Sequence, residues 1–208
     1  MGDTLSRGKI KERILRVLLN NPSGELTKYR VAKLTESGFS WVHEYLKQLE
    51  QNQLISGTKV LDYRKLIETW VSIHKPPRRI DYAVQDPEEY LRVTNLEYVL
   101  TTYRAEALTQ GYLFPSRTDL YIKPSDEEAW GNTLSNKGLK GKGNFRLLVG
   151  DKHVFYASKN VNKYVVVSKA QLILDLVLEG GVCTEAANML IEKEVKRLAE
   201  CSELNRAR

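Results

Sequence analysis

The sequence predicts an α+β fold in two parts: a small helical domain with one short β-hairpin, then an α/β domain built on a mixed sheet. Three observations carry this. Helix-period apolar patterns dominate residues 9–73, whereas strand-like and helical segments take turns from residue 80 onward. The two regimes are separated by His74-Lys75-Pro76-Pro77-Arg78-Arg79, where two prolines stop a helix and stiffen the chain. Charge divides at the same place. Residues 1–79 hold 15 Lys/Arg against 8 Asp/Glu and residues 80–208 hold 17 against 18, so the surplus behind the net charge of +6 lies in the first part.

Residues 9–20 make an amphipathic helix with Ile10, Ile14, Val17 and Leu18 on one face, ended by Asn20-Asn21-Pro22-Ser23-Gly24. A second helix follows, with Thr27 as its N-cap and Ala32 small enough to let a neighbouring helix approach. Ser37-Gly38 breaks the chain, with Gly38 expected to supply the positive φ of the turn. In the third helix Val42, Tyr45, Leu46 and Leu49 form an i, i+3, i+4, i+7 stripe that must face inward. This spacing over residues 26–55 is that of a helix-turn-helix. Asn52 is expected in the left-handed conformation as the chain leaves that helix. Residues 55–61 then permit a tight hairpin with Gly57 and Lys59 at its tip, and Asp62 caps a helix through Leu66, Ile67 and Trp70. The expected divisions are a winged helix over 1–74, a linker over 75–79, and a second domain over 80–208.

In that second domain, residues 79–84 alternate in polarity as a strand, and Asp86-Pro87-Glu88-Glu89 has the cap, first-turn proline and acids of a helix start. Strands over 98–101 and 119–123 flank a helix over 103–110. Ser125-Asp126-Glu127-Glu128 opens another helix, and 136–144 reads as a Gly/Lys loop. Strands are expected near 144–149, 153–157 and 163–167, and helices over 169–178 and 184–201 close the chain.

The face of the third helix opposite its apolar stripe carries Ser40, Glu44, Lys47 and Gln51, with Trp41 and Gln48 on one flank and His43 on the other. Such side chains reach base edges and phosphates in a DNA groove. Base-edge contacts are expected from Ser40, Trp41, Glu44, Lys47, Gln48 or Gln51, and phosphate contacts from Lys28, Arg30 and Lys59. The confined positive charge agrees with double-stranded DNA as the partner.

Other chemistry is poorly supplied, and no catalytic residue, metal ligand or cofactor is expected. The acid pairs 88–89 and 126–128 sit where helix starts favour negative charge. The loop Gly138-Leu139-Lys140-Gly141-Lys142-Gly143 lacks the phosphate-loop order and leads into a strand rather than a helix. His43, His74 and His153 are scattered. Asp119 could begin a nuclease metal site, but Phe145-Arg146-Leu147-Leu148 offers no acidic partner on the next strand. Cys183 and Cys201 have neither disulfide-framework nor metal spacing. With no secretory leader and no membrane-length apolar run, a cytoplasmic protein with no membrane partner is expected. Met1-Gly2-Asp3-Thr4-Leu5-Ser6 matches an acylation pattern too short to carry weight. Two rival readings stay open: a metal-dependent nuclease, and a protein-interaction module whose winged helix binds no DNA.

The order of landmarks in the second domain is informative. Tyr98-Val99-Leu100-Thr101-Thr102-Tyr103-Arg104-Ala105 precedes Asp119-Leu120-Tyr121-Ile122 and Gly143-Asn144-Phe145-Arg146-Leu147-Leu148. Val167-Ser168-Lys169-Ala170-Gln171-Leu172-Ile173-Leu174-Asp175-Leu176, Gly180-Gly181 and Glu185-Ala186-Ala187 follow. This order resembles the AbiEi family, the antitoxins and transcriptional regulators of type IV toxin–antitoxin (abortive infection) systems, which also place a winged helix first. The resemblance implies a repressor that binds repeats in its own promoter; a homodimer on the DNA is a separate expectation for its partners. The resemblance also implies a second domain, related to endonuclease-like folds without their active site, that counters a nucleotidyltransferase-like toxin or its transcript.

Overall fold

Local capping signals set most of the helix starts. In the computed structural model, which describes residues 6–206, the Ser6 hydroxyl accepts from the Lys9 N–H at 3.4 Å and opens α1 (Arg7–Asn20). Residues 1–5, and with them most of the acylation pattern, lie outside the described residues. Thr27 caps α2 (Lys28–Leu34) through the Arg30 N–H, and Asp62 caps α4 (Tyr63–Ile73) through the Lys65 N–H. Between them lie α3 (Phe39–Gln51) and a hairpin of two two-residue strands, β1 (Ile55–Ser56) and β2 (Lys59–Val60). The described chain is α+β and divides into two compact units. One takes the residues up to His74 together with those from Ala187 on, and the other takes Lys75–Ala186.

The core of the first unit is the meeting of α1, α3 and α4. Ile14, Leu15, Val17 and Leu18 of α1 are inaccessible, as are Val42, Leu46, Leu66 and Trp70. Each such aliphatic side chain contributes ~1.5–3 kcal/mol by burial. The inner face of α1 also buries two arginines. Arg13 Nη1 donates to the Thr35 carbonyl and to Glu36 Oε2, each at 3.1 Å, and so ties α1 to the turn before α3. The Arg16 guanidinium lies 5.1 Å from the centroid of the Trp70 ring.

Two backbone expectations are corrected here. The left-handed residue in the turn before α3 is Glu36 (φ 52°), while Gly38 is its extended N-cap (φ −62°). After α3 the left-handed residue is Gln53 (φ 55°), and Asn52 stays at φ −84°. The reason is positional: one residue in each turn must reverse the chain, and the hydrogen bonds Ser37 N–H to Ala32 O and Leu54 N–H to Leu49 O assign that residue regardless of its type.

The second unit is a seven-stranded mixed sheet. Its strands are β3 (Arg78–Val84), β4 (Val99–Thr101), β5 (Thr118–Ile122), β6 (Gly138–Lys140), β7 (Phe145–Val149), β8 (Lys159–Val161) and β9 (Tyr164–Val166), in the order β6-β3-β7-β5-β4-β9-β8. Both β5–β7 and β4–β9 pair in parallel, and the other pairs are antiparallel. Helices α5 (Pro87–Val93), α6 (Thr102–Thr109), α7 (Glu127–Ser135) and α8 (Lys169–Glu179) complete it, with the start of α9 (Val182–Arg206). Tyr90 of α5, Trp130 of α7, Tyr98 just before β4 and Phe145 of β7 form an aromatic core, with ring centroids 5.8–6.4 Å apart.

Three sequence expectations shift in this unit. The segment 153–157 is not a strand, because Lys152–Phe155 forms a 3-10 turn that Asp151 caps through the His153 N–H. The expected loop 136–144 contains edge strand β6, and a Cβ on Gly138 would stand 2.5 Å from the Ala83 carbonyl oxygen. The linker is shorter than expected, since Arg78 already pairs with Val149. The expected second domain, 80–208, also gives up its end. Arg64 Nη1 donates to Asn188 Oδ1 at 2.9 Å, and the Tyr63 phenol is pushed up by its burial and, in addition, by the nearby buried Glu194, whose Oε2 accepts from Arg197. Among the described residues no helix is long and apolar enough to cross a membrane.

Candidate nucleic-acid interface

Helical geometry sorts the exposed residues of α3 into three strips. Val42, Tyr45, Leu46 and Leu49 are buried, so Ser40, Glu44, Lys47 and Gln51 point outward, and all four are exposed. On one flank Trp41 and Gln48 turn toward the start of α1, and with Glu44 at the border of the outward strip they line a shallow pocket with Arg7, Ile10, Lys11 and Tyr45. There the Arg7 guanidinium sits 4.4 Å from the Trp41 ring centroid, and Lys11 Nζ lies 5.0 Å from that of Tyr45. On the other flank, toward α2, Phe39 and His43 join Tyr29 in an exposed aromatic group, with Lys33 Nζ 5.6 Å from the Tyr29 ring.

The expected residues are therefore only partly brought together. Ser40, Trp41, Glu44, Lys47, Gln48 and Gln51 share one side of α3, and Arg30 is exposed on the neighbouring α2. Lys28 is diverted, because its Nζ donates to Glu50 Oε2 at 3.2 Å. Lys59 is not at the hairpin tip. The tip is Gly57-Thr58, and the Thr58 hydroxyl donates to the carbonyls of Leu26 (2.5 Å) and Gly24 (3.3 Å), which pins the hairpin inward. Lys59 consequently stands beside Pro22 and Ser23 and the α9 residues Val195 and Leu198.

Sequence reasoning passed over Arg7, Lys11, Tyr29, Lys33 and Phe39. Tyr29 and Lys33 form an i, i+4 pair on α2 that could have been noticed. Phe39 could not, because it sits three residues before Val42 and extends the apolar stripe on paper.

Glu50 fastens this corner. Its Oε1 accepts from the Gly57 N–H at 2.8 Å while Oε2 takes Lys28. The Gly57 N–H first, then Lys28, hold the carboxyl below its ordinary value of 4.5 against a weaker opposing effect of burial. Since folding lowers this pKa, the stabilisation is complete above the unfolded value and fades as pH falls through the folded one. Glu50→Gln should therefore flatten the loss of stability between about pH 5 and pH 3, read as the denaturant midpoint at each pH. A variant as acid-sensitive as wild type would show that the carboxylate does not hold the hairpin.

A second polar cluster lies in the sheet unit. The register aligns Asp81, Arg146 and Asp119 in one row across β3, β7 and β5. Asp119 is buried. Its Oδ1 accepts from Arg117 Nε at 2.5 Å, and its Oδ2 accepts from Arg117 Nη2 at 2.7 Å and from the Thr102 hydroxyl. Arg146 Nε donates to Asp81 at 3.0 Å, and Glu179 of α8 accepts from both Arg117 (2.8 Å) and Arg146 (3.3 Å). Burial alone would raise the Glu179 pKa, but the two guanidiniums hold it low. Among the described residues no group of three or more His, Cys, Asp or Glu side chains is arranged to hold a metal ion.

No known protein family, curated protein or solved structure matches the chain. The resemblance to the AbiEi family thus rests on the sequence landmarks alone.

Proposed function

We propose that this chain is a non-enzymatic, DNA-binding transcriptional regulator. In this reading its first unit is a winged helix whose α3 enters the major groove, and the whole is an antitoxin-type repressor of a phage-defence operon. The observation that carries the reading is the outward strip Ser40–Glu44–Lys47–Gln51, with cations at both flanks of α3: Lys33 beside Tyr29 on the α2 side, Arg7 and Lys11 on the α1 side. Polar side chains at the centre and cations at the edges match base edges lying between two phosphate backbones. Charge supports it with less contrast than the sequence division suggested. The first unit holds 17 Lys/Arg against 12 Asp/Glu, and the second holds 15 against 14.

The second unit supports a regulatory rather than a hydrolytic role. Asp119 faces Arg146 where a nuclease strand would present a second carboxylate, and both its oxygens are engaged by Arg117. Its proposed task is to counter a nucleotidyltransferase-like toxin encoded alongside. The proposed DNA-bound form is a homodimer on promoter repeats.

The test is selection by the full-length protein from a random-sequence duplex pool, followed by a gel shift on the upstream region of its own coding sequence. An enriched motif that recurs in that region is the expected result. Recovery of no motif would sink the DNA reading. Magnesium-dependent cleavage of the duplex, abolished by Asp119→Asn, would replace the reading with the nuclease.

A further inference from the structure

Phe39, the first residue of α3, is 46 % exposed beside the polar outward strip. Its neighbours hold its direction. His43, one turn on, stacks against it at 5.8 Å and 23°, and Tyr29 of α2 leans on it at 6.5 Å and 45°. A phenyl ring fixed in this way offers an apolar contact and neither donor nor acceptor.

We propose that Phe39 reads thymine, its ring packing against the C5-methyl group in the major groove. The inference rests on the DNA-reading role of α3 proposed above and names what that role selects. Each base pair presents nitrogen and oxygen donors and acceptors in the major groove, and the thymine methyl is the one apolar group among them. A phenyl at the start of a groove-entering helix therefore has that methyl as its complement on a duplex. Stacking between unpaired bases fits less well, because His43 already covers one face of the ring. The flanking cations Lys33 on one side and Arg7 and Lys11 on the other suit a duplex, whose two phosphate strands border the groove.

The experiment uses the full-length protein and a duplex recovered from the random pool, synthesised once with thymidine and once with deoxyuridine at every thymidine position. That exchange removes methyl groups and leaves every donor and acceptor in place. Wild type should bind the thymidine duplex at least about four-fold more tightly, the factor for one buried methyl. Phe39→Ala should bind both duplexes alike, near the wild-type affinity for the deoxyuridine form. Phe39→Leu, which keeps an apolar contact, should retain part of the discrimination, so a folding defect in the alanine variant does not decide the matter. Equal wild-type affinity for the two duplexes overturns the thymine reading while leaving DNA binding intact. Failure to recover any duplex overturns the proposed function beneath it. A Phe39-dependent preference for the single strand over the duplex also overturns it, in favour of stacking on unpaired bases.

Discussion

Asp119→Ala is expected to destabilise the sheet unit by ~3–5 kcal/mol, the range for removing one partner of a buried ion pair. The side chain is 1 % exposed, and its two oxygens accept from Arg117 Nε and Nη2 and from the Thr102 hydroxyl. Removing it leaves a guanidinium in a poorly hydrated place with half its partners. Thr102 also loses the bond that accompanies its left-handed backbone (φ 46°), a conformation that a β-branched residue adopts at a cost. Glu179 and the Tyr103 ring, 5.2 Å from the Arg117 guanidinium, remain as partial partners and place the expectation at the lower end of the range. Asp119→Asn keeps the shape and an acceptor and should cost less. Urea unfolding followed by fluorescence in a Trp41→Phe, Trp70→Phe background isolates the effect, because Trp130 belongs to the sheet unit while Trp41 and Trp70 belong to the other. A loss below about 1 kcal/mol would mean that the network is no stronger than an exposed ion pair.

The affinity of the full-length protein for its selected duplex should fall about a hundred-fold between 50 and 200 mM salt. That figure corresponds to four phosphate contacts, at a slope of about −0.9 per contact in log affinity against log salt. Four is the number expected if Arg7, Lys11, Arg30 and Lys33 each meet a phosphate while Lys47 faces the bases. Lys28 and Lys59 are omitted because the first is paired with Glu50 and the second stands beside α9. Arg30→Ala should weaken binding on every duplex alike and reduce the slope by about one. Lys47→Ala should instead relax selectivity at one base position. Titrations at several salt concentrations separate the two outcomes. An affinity indifferent to salt would remove the electrostatic basis of the proposed function.

The sequence was most legible where structure is local. Thr27, Asp62 and Asp86 cap the helices they were expected to cap, because a cap is one side chain meeting a backbone N–H three residues on. The inward stripe of α3 was equally readable, since Val42, Tyr45, Leu46 and Leu49 repeat at the helix period. What could not be read depends on which surface an element meets. Phe39 has the spacing of a core residue, yet nothing in the sequence places Tyr29 beside it rather than the interior of the unit. In α9 the stripe of Ala187, Leu190 and Ile191 announces an apolar face without saying what covers it, and so the end of the chain was assigned to the other unit.

The candidate site divides along the same line. The sequence by itself determined that α3 exists, which face it buries, and that Ser40, Glu44, Lys47 and Gln51 point the other way, because helical period converts residue type directly into direction. Only the tertiary structure decided which cations flank that face. Glu50 is one turn from Lys47 on the same helix, but its capture of Lys28 depends on α2 lying alongside. Lys59 is removed from the tip of the hairpin because Thr58 finds the Leu26 and Gly24 carbonyls. Arg13 likewise fixes the turn before α3 from 22 residues away. Such contacts depend on distances that folding creates between segments far apart in the chain, which no pattern along one segment records.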